Sequence, residues 1–441
     1  MTEFPDALEI DDATTRGRRP GRGLRICMLT TFYPPFNFGG DGIGVQRLAA
    51  GFARRGHSVT VVHDADAYLA LNGGIEPAPA DAIRGVDVVR LHSRLGKVSP
   101  LLTHQLGRPV VHARRIRSIL DRGFDVTFFH NISLVGGPSI LREGRGVRIY
   151  EAHEHWLVCP THVLWRYNRE LCDARDCLRC TLAYHRPPQL WRSTGLLERE
   201  LHNVDAFVAK SVFSRDKHHE FGFDREMEVI PYFLPANPAA NERVAPPSRP
   251  NERPFFLFVG RLEKIKGLDD VIPSFSGTEG PDLLIAGDGE YAGSLRALAR
   301  DMPRVRFLGR VPLERLGSYY EHALALIVPS VCFETFGIIL IEAFRQGTPV
   351  IARRLGPFPE IVEKSGAGLL FETRSELDSA IGELAGSPLR RDAMGKAGSS
   401  AFVEHWSEEA VMPQYLDLIC RTASAKGEQS IVDALSSGGI A

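Results

Sequence analysis

The sequence lacks any apolar run long enough to cross a bilayer, since a spanning helix needs about 20 consecutive apolar residues. It also has almost no net charge, because 53 basic and 54 acidic side chains leave a formal charge of −1. Nucleic-acid binding through overall charge is therefore excluded, although a local basic patch is not. Residues 1–23 lack the apolar core of a secretory signal and are interpreted as a disordered, charged leader. These features predict a cytoplasmic protein.

The composition that remains is that of a globular protein large enough for two domains. Hydrophobic residues make up 44% and charged residues 24% of a 441-residue chain, which is too long for one ordinary core. Short apolar runs alternate with helical stretches over 24–235 and over 255–405, and a Pro- and Asn-rich segment at 236–254 is predicted to link them. A helix is expected at 406–424, with the hypothesis that it packs back on the first domain, before a loose tail at 425–441.

This alternation predicts an α/β fold in which two doubly wound, Rossmann-like parallel sheets face a central cleft. Ligands of such sheets bind beyond the carboxyl ends of the strands. An NAD-dependent oxidoreductase is one class with this architecture. However, GGDGIG does not read G-x-G-x-x-G and starts well after the first strand, so that class is discounted.

Two acidic residues, Glu334 and Glu342, are seven positions apart in CFETFGIILIEAF. The first is predicted in the loop after a buried strand, and the second about two turns along the following helix. The backbone amides of Phe336, Gly337 and Ile338 would lie at the helix N-terminus, where amides bind anions. The alternative is an amphipathic helix with two ordinary surface glutamates.

Two cations follow the first strand of the second repeat in VGRLEKIKG. Arg261 offers a planar fork and Lys266 a point charge, and together they suit a diphosphate at a strand end. The alternative is a solvated loop with scattered charges.

Over residues 24–405 the chain resembles glycosyltransferase family 4, in a subgroup with a Cys-containing insertion in the N-terminal domain. The resemblance lies in the order and spacing of TFYPPFNFGGDGIGVQRLAAGFARRGHSVTVV, FVAKSVFSRDKHHEFGF, VGRLEKIKG, AGDGE, FLGRVP, PSVCFETFGIILIEA and GTPVIARRLGPFPEIV. It implies a GT-B fold, retention of anomeric configuration, and a UDP-, GDP- or ADP-sugar donor. The acceptor is not implied and is a glycan, a lipid-linked molecule or a small molecule.

The resemblance also implies roles for individual residues. Arg261 and Lys266 would hold the donor diphosphate, Glu334 the donor sugar and Glu342 the ribose. His130 matches a position beside the reacting sugar, and His153 another edge of the active site; the alternative for each is a hydrogen-bonded core histidine. The other implied donor-binding residues are Gly39, Gly40, Val311, Phe336, Gly337 and Ile338.

The chemistry implied by the resemblance needs no protein nucleophile. The acceptor hydroxyl would attack from the face that the diphosphate leaves, and a phosphate oxygen would take its proton. The protein would stabilise the leaving charge and exclude water. Members of this fold work without a bound divalent cation, so no catalytic metal is expected.

Four of the seven cysteines fall in one short window, at positions 159, 172, 177 and 180. In a reducing compartment, clustered thiolates fit a tetrahedral structural zinc. An iron–sulfur cluster, metal-free thiols and a disulfide are the alternatives, because the spacing is not that of a standard zinc finger. The surrounding insertion, about 156–192, carries Trp156, which either stacks on a sugar acceptor or packs a small core.

The last candidate functional features are a basic stretch and two departures from the family pattern. Residues 108–122 combine arginines with apolar residues and suggest peripheral contact with the cytoplasmic face of a membrane, with a solvated helix face as the alternative. The turn that often reads Gly-Gly-x-Pro-Glu in the family is Gly356-Pro357-Phe358-Pro359-Glu360 here, and the bulky Phe358 puts the donor sugar in doubt. Tyr232 stands where many relatives have a small polar residue.

The sequence therefore predicts a retaining glycosyltransferase. Two alternatives stay open: another activity of the same fold, such as an epimerase or a pseudo-glycosyltransferase, and a catalytically silent module that binds a nucleotide or a partner. Intact Arg261, Lys266, Glu334 and Glu342 argue against the silent module.

Overall fold

A computed structural model describes residues 23–235 and 250–437 of the chain. The expected leader, except for Gly23, and most of the expected linker lie outside the described residues. No helix within the described ranges is both long and apolar enough to cross a membrane.

The first domain is built on a seven-stranded parallel sheet with the strand order β3-β2-β1-β4-β5-β8-β9. The central strand β1 is buried along nearly its whole length and apolar from Ile26 to Leu29, because helices cover both faces of the sheet. The strands are β1 (Arg25–Thr30), β2 (Ser58–Asp64), β3 (Val86–Leu91), β4 (Val126–Phe129), β5 (Val147–Ala152), β8 (Ala206–Ala209) and β9 (Glu228–Val229).

The second domain repeats this plan with a six-stranded parallel sheet in the order β12-β11-β10-β13-β14-β15. Its central strand β10, FFLFV, is apolar throughout. The strands are β10 (Phe255–Val259), β11 (Asp282–Ala286), β12 (Val305–Gly309), β13 (Leu326–Val328), β14 (Val350–Arg353) and β15 (Gly368–Phe371).

Helices alternate with the strands in both domains. Those of the first domain are α1 (Gly40–Arg54), α2 (Ala65–Leu71), α3 (Val98–Leu106), α4 (Ala113–Leu120), α5 (Cys177–Ala183), α6 (Leu196–Leu201) and α7 (Val212–Glu220). Those that follow are α8 (Leu268–Val271), α9 (Ala292–Leu298), α10 (Leu313–His322), α11 (Ile338–Arg345), α12 (Phe358–Ser365), α13 (Arg374–Gly386), α14 (Pro388–Ala401), α15 (Glu408–Lys426) and α16 (Gln429–Ser437).

The strand order reverses beside the first strand of each sheet, and this reversal positions the site. In the first domain, β1 has β2 on one side and β4 on the other, and in the second domain β10 lies between β11 and β13. The loops that leave β1 and β10 therefore open onto a crevice at the switch point. These two loops carry Gly39, Gly40, Arg261 and Lys266.

Helix α15 returns the end of the chain to the first domain. A π-helical turn at Phe402–Trp406 precedes it, and Glu408 in its first turn forms ion pairs with Arg54 and Arg55 at the C-terminal end of α1. Its buried side chains join the first domain's core: Val411, Met412, Tyr415, Leu418 and Ile419.

The expectation of a loose tail at 425–441 is wrong for most of that stretch. Residues Gln429–Ser437 form α16, and Ile431 is buried in the first domain's core. The apolar residues at 431, 432 and 435 supply one helical face, and the Gly427 turn before them is sharp enough for α16 to fold back beside α15.

The insertion between β5 and β8 has little regular structure. It contains a two-stranded antiparallel hairpin, β6 (Trp165–Arg166) and β7 (Glu170–Leu171), followed by the short helix α5. Trp156 and Trp191 from its two ends pack with their ring centroids 5.9 Å apart in the first domain's core.

We expect Tyr415→Phe to lower the free energy of unfolding by about 1–3 kcal/mol. The Tyr415 hydroxyl is 2.7 Å from both Lys210 Nζ and Glu151 Oε1, so its loss leaves buried charged groups short of a partner. Urea denaturation measures the change. Tyr319→Phe is the matched control, because the half-buried Tyr319 has no hydroxyl partner among the described residues. Equal stability of the two variants would contradict the prediction.

Candidate active site

An ion pair between Lys266 and Glu334 lies at the switch point of the second sheet. Lys266 ends a single 3-10 turn after β10, and its Nζ is 2.6 Å from Glu334 Oε1, which also accepts a hydrogen bond from Ser330 at 3.1 Å. Burial would raise the pKa of Glu334, but Lys266 and Ser330 outweigh burial and leave this pKa lowered. Both side chains are therefore held in their charged forms.

A glycine allows the loop that carries Lys266 to approach the loop that carries Glu334. Gly267 has a φ of +69°, and a Cβ there would lie 2.2 Å from the carbonyl oxygen of Pro329, so only glycine allows this approach. The loop after β10 thereby reaches the loop after β13, which carries Glu334.

The N-terminus of α11 points into the same region. Gly337 is its N-cap residue, with a φ of +117°, and no side chain caps the helix. The amides of Phe336, Gly337 and Ile338 therefore have no intrahelical acceptor and are suited to an anion. Phe358 packs against this turn, because a Cβ at Gly337 would lie 2.8 Å from its ring.

Glu342 lies along α11 and is already engaged by two side chains. Its Oε1 is 3.5 Å from Nη2 of Arg47 in the first domain, and Tyr320 donates a hydrogen bond to its Oε2 at 3.0 Å. Any ribose hydroxyl that approached Glu342 would do so beside Arg47, a residue that the sequence analysis did not single out.

Arg261 and Val311 occupy the rim of this region. Arg261 is more than half exposed and forms an ion pair with Glu263 at 2.7 Å, so its guanidinium is free to turn. Val311 follows β12 and is half-buried, and its backbone contact with a base stays a prediction.

The glycine-rich loop of the first domain faces the start of α11. A Cβ at Gly40 would lie 3.6 Å from Ile338 Cγ2, so the two domains meet at this point. Next in the chain is Asp41, which the sequence analysis missed although an acid directly after two glycines was a visible signal. Burial and the nearby Glu154 raise the pKa of Asp41, and hydrogen bonds from the Gly42 amide and Asn131, followed by the charge of Arg261, oppose that rise.

His130 and His153 belong to a buried chain of hydrogen bonds rather than to the cleft surface. His130 Nδ1 is 2.9 Å from His153 Nε2, and His153 Nδ1 contacts the hydroxyl of Tyr232. Both imidazoles are almost fully buried. Burial and the Lys210 charge lower the pKa of His130 to about 3, and burial with His130 lowers the pKa of His153 well below its ordinary value. The expectation that both rings line the open site therefore needs correction, because Tyr232 covers His153.

This chain of hydrogen bonds leads from His130 to a buried ion pair. Lys210 Nζ contacts Glu151 Oε1, and Glu151 Oε2 is 3.2 Å from His130 Nδ1. Ligand atoms of His130, Glu151 and His153 lie within 4.8 Å of one another, which is a spacing that metal ligands adopt. Because the ammonium of Lys210 already neutralises Glu151, we interpret the group as a hydrogen-bond network.

Hydrogen bonds join the two domains beside Glu334. Thr335 donates from Oγ1 to the carbonyl of His153 at 2.8 Å, and its own carbonyl accepts from Ser211 at 2.7 Å. Glu360, the acid of the family turn, accepts from the amides of Val212 and Phe213 at 3.2 and 3.0 Å. Glu360 therefore caps α7 across the cleft.

Burial contradicts the predicted stacking of Trp156 on a sugar and removes part of the apolar face predicted at 108–122, while membrane contact itself stays a prediction. Trp156 is only 1% exposed within the first domain's core, so neither face of its ring is free to stack on a sugar. In α4, Ile116 and Ile119 are 1% and 3% exposed, so these two residues of the 108–122 stretch are buried in the first domain's core. Its arginines at 114, 115 and 117 form a solvated face.

The four clustered cysteines line one cavity in the insertion, together with Leu164 and Phe221. All four are unpaired thiols. Burial and the three neighbouring cysteines raise the pKa of Cys172 to about 11. The cluster predicted from the sequence therefore exists in space.

The first domain matches the family model described as Glycosyltransferase Family 4 over residues 38–236, and the second matches Glycosyl transferases group 1 over 241–400. The two matches cover the second sheet, every strand of the first sheet except β1, and the glycine-rich loop from residue 38 onward. The chain belongs to glycosyltransferase family 4. The family predicted from the sequence motifs is thus confirmed, and the Cys-containing subgroup stays a prediction.

Similar proteins come from several organisms. The chain is 29% identical over 249 residues to a GDP-mannose-dependent alpha-(1-6)-phosphatidylinositol monomannoside mannosyltransferase of Mycobacterium tuberculosis, covering 51% of this chain and 64% of that protein. It is 30% identical over 252 residues to a D-inositol 3-phosphate glycosyltransferase of Corynebacterium kroppenstedtii, covering 51% and 55%. The chain thus spans less than two thirds of either relative.

Solved structures confirm the GT-B fold. Sucrose-phosphate synthase from Thermosynechococcus elongatus superposes with a TM-score of 0.69 at 19% identity, over 91% of this chain and 100% of that one. Anabaena HepE in complex with UDP gives 0.60 at 16% identity, over 90% and 99%. At these identities the likeness concerns the fold alone.

We expect stability to fall between about pH 6.5 and pH 4.5, and His130→Gln to reduce the steepness of this fall. In the unfolded chain His130 takes up a proton near its ordinary pKa of 6.5, whereas the folded protein resists protonation to about 3. One such group contributes about 1.4 kcal/mol per pH unit across this window. Urea denaturation at several pH values measures the slope.

Phe128→Leu is the control for this experiment. It removes the ring stacked on His130 but no titrating group, so it should lower stability while keeping the wild-type slope. An unchanged slope in His130→Gln would show that His130 is protonated in the folded protein.

Proposed function

We propose that this protein is a retaining glycosyltransferase that transfers a sugar from a nucleotide-diphosphate sugar to a hydroxyl acceptor. The observation that carries the proposal is the pairing of Lys266 with Glu334 beside the uncapped N-terminus of α11. A cation, a carboxylate and three amides without intrahelical acceptors converge at a switch point that faces the glycine-rich loop of the other domain. This arrangement suits a diphosphate joined to a polyhydroxylated ring.

The donor diphosphate would lie between Lys266, the amides of α11 and a reoriented Arg261. Lys266 is held charged, because Glu334 and the nearby Cys332 outweigh burial and raise its pKa. Glu334, held ionised, would accept hydrogen bonds from sugar hydroxyls. Glu342 would accept one from the ribose, with Arg47 as its partner in the absence of ligand.

Transfer would proceed on the face of the sugar that the diphosphate leaves. The bond from the anomeric carbon to the phosphate oxygen breaks, the bond to the acceptor oxygen forms, and the acceptor proton passes to a phosphate oxygen. Glu334 is tied to Lys266 and Ser330, which favours sugar binding over nucleophilic attack. The protein's part is to stabilise the departing charge in a site that excludes water.

The first domain would supply the acceptor side. Asp41 and Glu154 offer hydrogen-bond acceptors at the mouth of the glycine-rich loop, where Asp41 is close enough to Arg261 to interact electrostatically. His130 and His153, held neutral, would act by hydrogen bonding through Tyr232 rather than as charged acids.

Guanine and uracil are the two candidate bases for the donor nucleotide that similar proteins suggest. One relative is named for GDP-mannose, and one solved neighbour holds UDP, so guanine and uracil nucleotides are the first to test alongside ADP. A nucleotide at about 100 times its dissociation constant stabilises its protein by about 2.7 kcal/mol, which a thermal shift detects.

We expect Lys266→Ala to lower kcat/KM for the best nucleotide sugar by about 100-fold or more, because one contact to developing charge is worth on the order of 3 kcal/mol. Lys264→Ala is the matched control, since Lys264 is exposed in the same turn. Equal losses in the two variants would refute the assignment of Lys266.

The anomeric configuration of the product, read by proton NMR, tests retention directly, and inversion would overturn that half of the proposal. Nucleotide binding without turnover of any sugar would indicate the silent module. Isomerisation of the donor without transfer would indicate an epimerase.

We also propose that the acceptor is presented at an anionic lipid surface. One relative is named for a phosphatidylinositol acceptor, and residues 88–120 contain no Asp or Glu. Six apolar side chains of this stretch are exposed by 43–55%, namely Val88, Leu95, Val98, Leu101, Leu106 and Val110. Exposed apolar anchors beside an excess of basic over acidic side chains are typical of interfacial contact. Two arginines of this stretch, Arg90 and Arg117, are engaged in ion pairs with Glu76 and Glu143.

We expect the protein to sediment with vesicles of phosphatidylglycerol and phosphatidylcholine, and Leu101→Glu to weaken this binding at least several-fold. Vesicles of phosphatidylcholine alone should bind little, because the electrostatic part is lost. Leu389→Glu, at an exposed leucine of the second domain, is the control. Equal binding of the two variants would exclude this surface.

A further inference from the structure

The four-cysteine cavity is assembled from three separate parts of the insertion. Cys159 lies in the loop after β5, Cys172 follows the hairpin β6–β7, and Cys177 and Cys180 lie one turn apart on α5. Apart from Leu164, Trp165 and Phe221, few large apolar side chains line the cavity. A segment with so small a core needs an additional constraint to hold one conformation.

The backbone around this cavity is strained in a way that demands such a constraint. Among the described residues, every non-glycine residue with a positive φ belongs to this one segment: His162, Leu164, Tyr167, Asn168 and His185, with φ from +47° to +78°. Each conformation of this kind costs on the order of 1 kcal/mol or more and persists only where the surroundings impose it.

Two of the sulfurs already have the polar contacts that support metal-bound thiolates. The backbone N–H of Tyr167, itself in the left-handed region, donates to Cys180 Sγ at 3.4 Å. The hydroxyl of Thr161 is 3.2 Å from Cys159 Sγ. Such partners orient the ligands of a metal site and offset part of their charge.

A compensating cation lies beside the cavity. Arg192 is half-buried, stacks over Trp156 at 5.2 Å and interacts electrostatically with Cys159 and Cys177. Four thiolates around a divalent ion leave a net charge of −2, so a fixed guanidinium nearby favours that state over four neutral thiols.

The distances between the four sulfurs show that they must move closer together to bind one metal ion. No three of the four lie within 4.8 Å of one another, whereas bonds of about 2.3 Å to a tetrahedral zinc bring sulfurs to about 3.8 Å. Cys177 is exposed and Cys172 half-buried, so these two have room to close on the more buried pair.

The cavity also contacts the loop that carries Glu334. Phe333 of the second domain packs against the apolar cluster formed by Cys159, Leu164 and Phe221, and Lys217 Nζ lies 4.6 Å from the centre of the Phe333 ring. Whatever fixes the insertion therefore also fixes the residue next to Glu334.

We propose that Cys159, Cys172, Cys177 and Cys180 bind one structural zinc ion, and that this zinc holds the Phe333–Glu334 loop in place through the insertion. Zinc binding itself is independent of the proposed transferase activity. Only the effect that a fixed Phe333–Glu334 loop would have on catalysis rests on the proposed transferase function.

Elemental analysis of the purified full chain tests the metal. We expect about one zinc per chain in the wild type and in Cys420→Ser, a control at a half-buried cysteine of α15, and at least a ten-fold loss in Cys177→Ser. Cobalt substitution should give the absorption bands of tetrahedral thiolate coordination. Iron in place of zinc, no metal with seven titratable thiols, or fewer than seven thiols in the denatured chain would each overturn the proposal.

Hydrogen exchange tests the connection to the loop without any assay of activity. We expect faster exchange at 331–337 in Cys177→Ser than in Cys420→Ser, with unchanged exchange in β10 and β11 as evidence that the second domain is folded. Zinc loss without faster exchange at 331–337 would refute the bracing role. An inactive wild type with zinc bound and the loop protected would instead count against the transferase proposal alone.

Discussion

The buried ion pair of Lys210 and Glu151 determines much of the first domain. Both side chains are at most 2% exposed, and removing two charges from water is costly unless other polar groups surround them. Here Tyr415 bridges the pair and His130 approaches the second carboxylate oxygen. Because these partners come from β5, the loops after β4 and β8, and α15, the pair fixes how four parts of the first domain meet beneath the cleft.

The second domain depends on close backbone approach rather than on a buried charge. Gly267 lets the Lys266 turn touch the Pro329 carbonyl, and Gly337 lets Phe358 close over the start of α11. The bulky Phe358 thereby packs against the turn at the N-terminus of α11. Glu360, two positions on, caps α7 of the other domain, so this one turn contacts both the start of α11 and the first domain.

The sequence was sufficient for features with a local signature. Apolar strands, alternation and glycine stops predicted both sheets, and the four cysteines predicted their own cluster. It was insufficient where the outcome depends on what covers a residue. Trp156 and Ile116 look identical in sequence whether they face a ligand or a core, and the burial of His153 depends on Tyr232, which is 79 positions away. Arg47 and Glu360 gain these partners only from the meeting of two domains.

The return of α15 and α16 to the first domain has a consequence for synthesis on the ribosome. Val411, Tyr415, Ile419 and Ile431 complete a core whose first strand is β1. A chain made from the N-terminus can finish the second domain while the first still exposes that apolar surface. The first domain is thus begun first and completed last, and its exposed surface is the part of the nascent chain that a chaperone would need to cover.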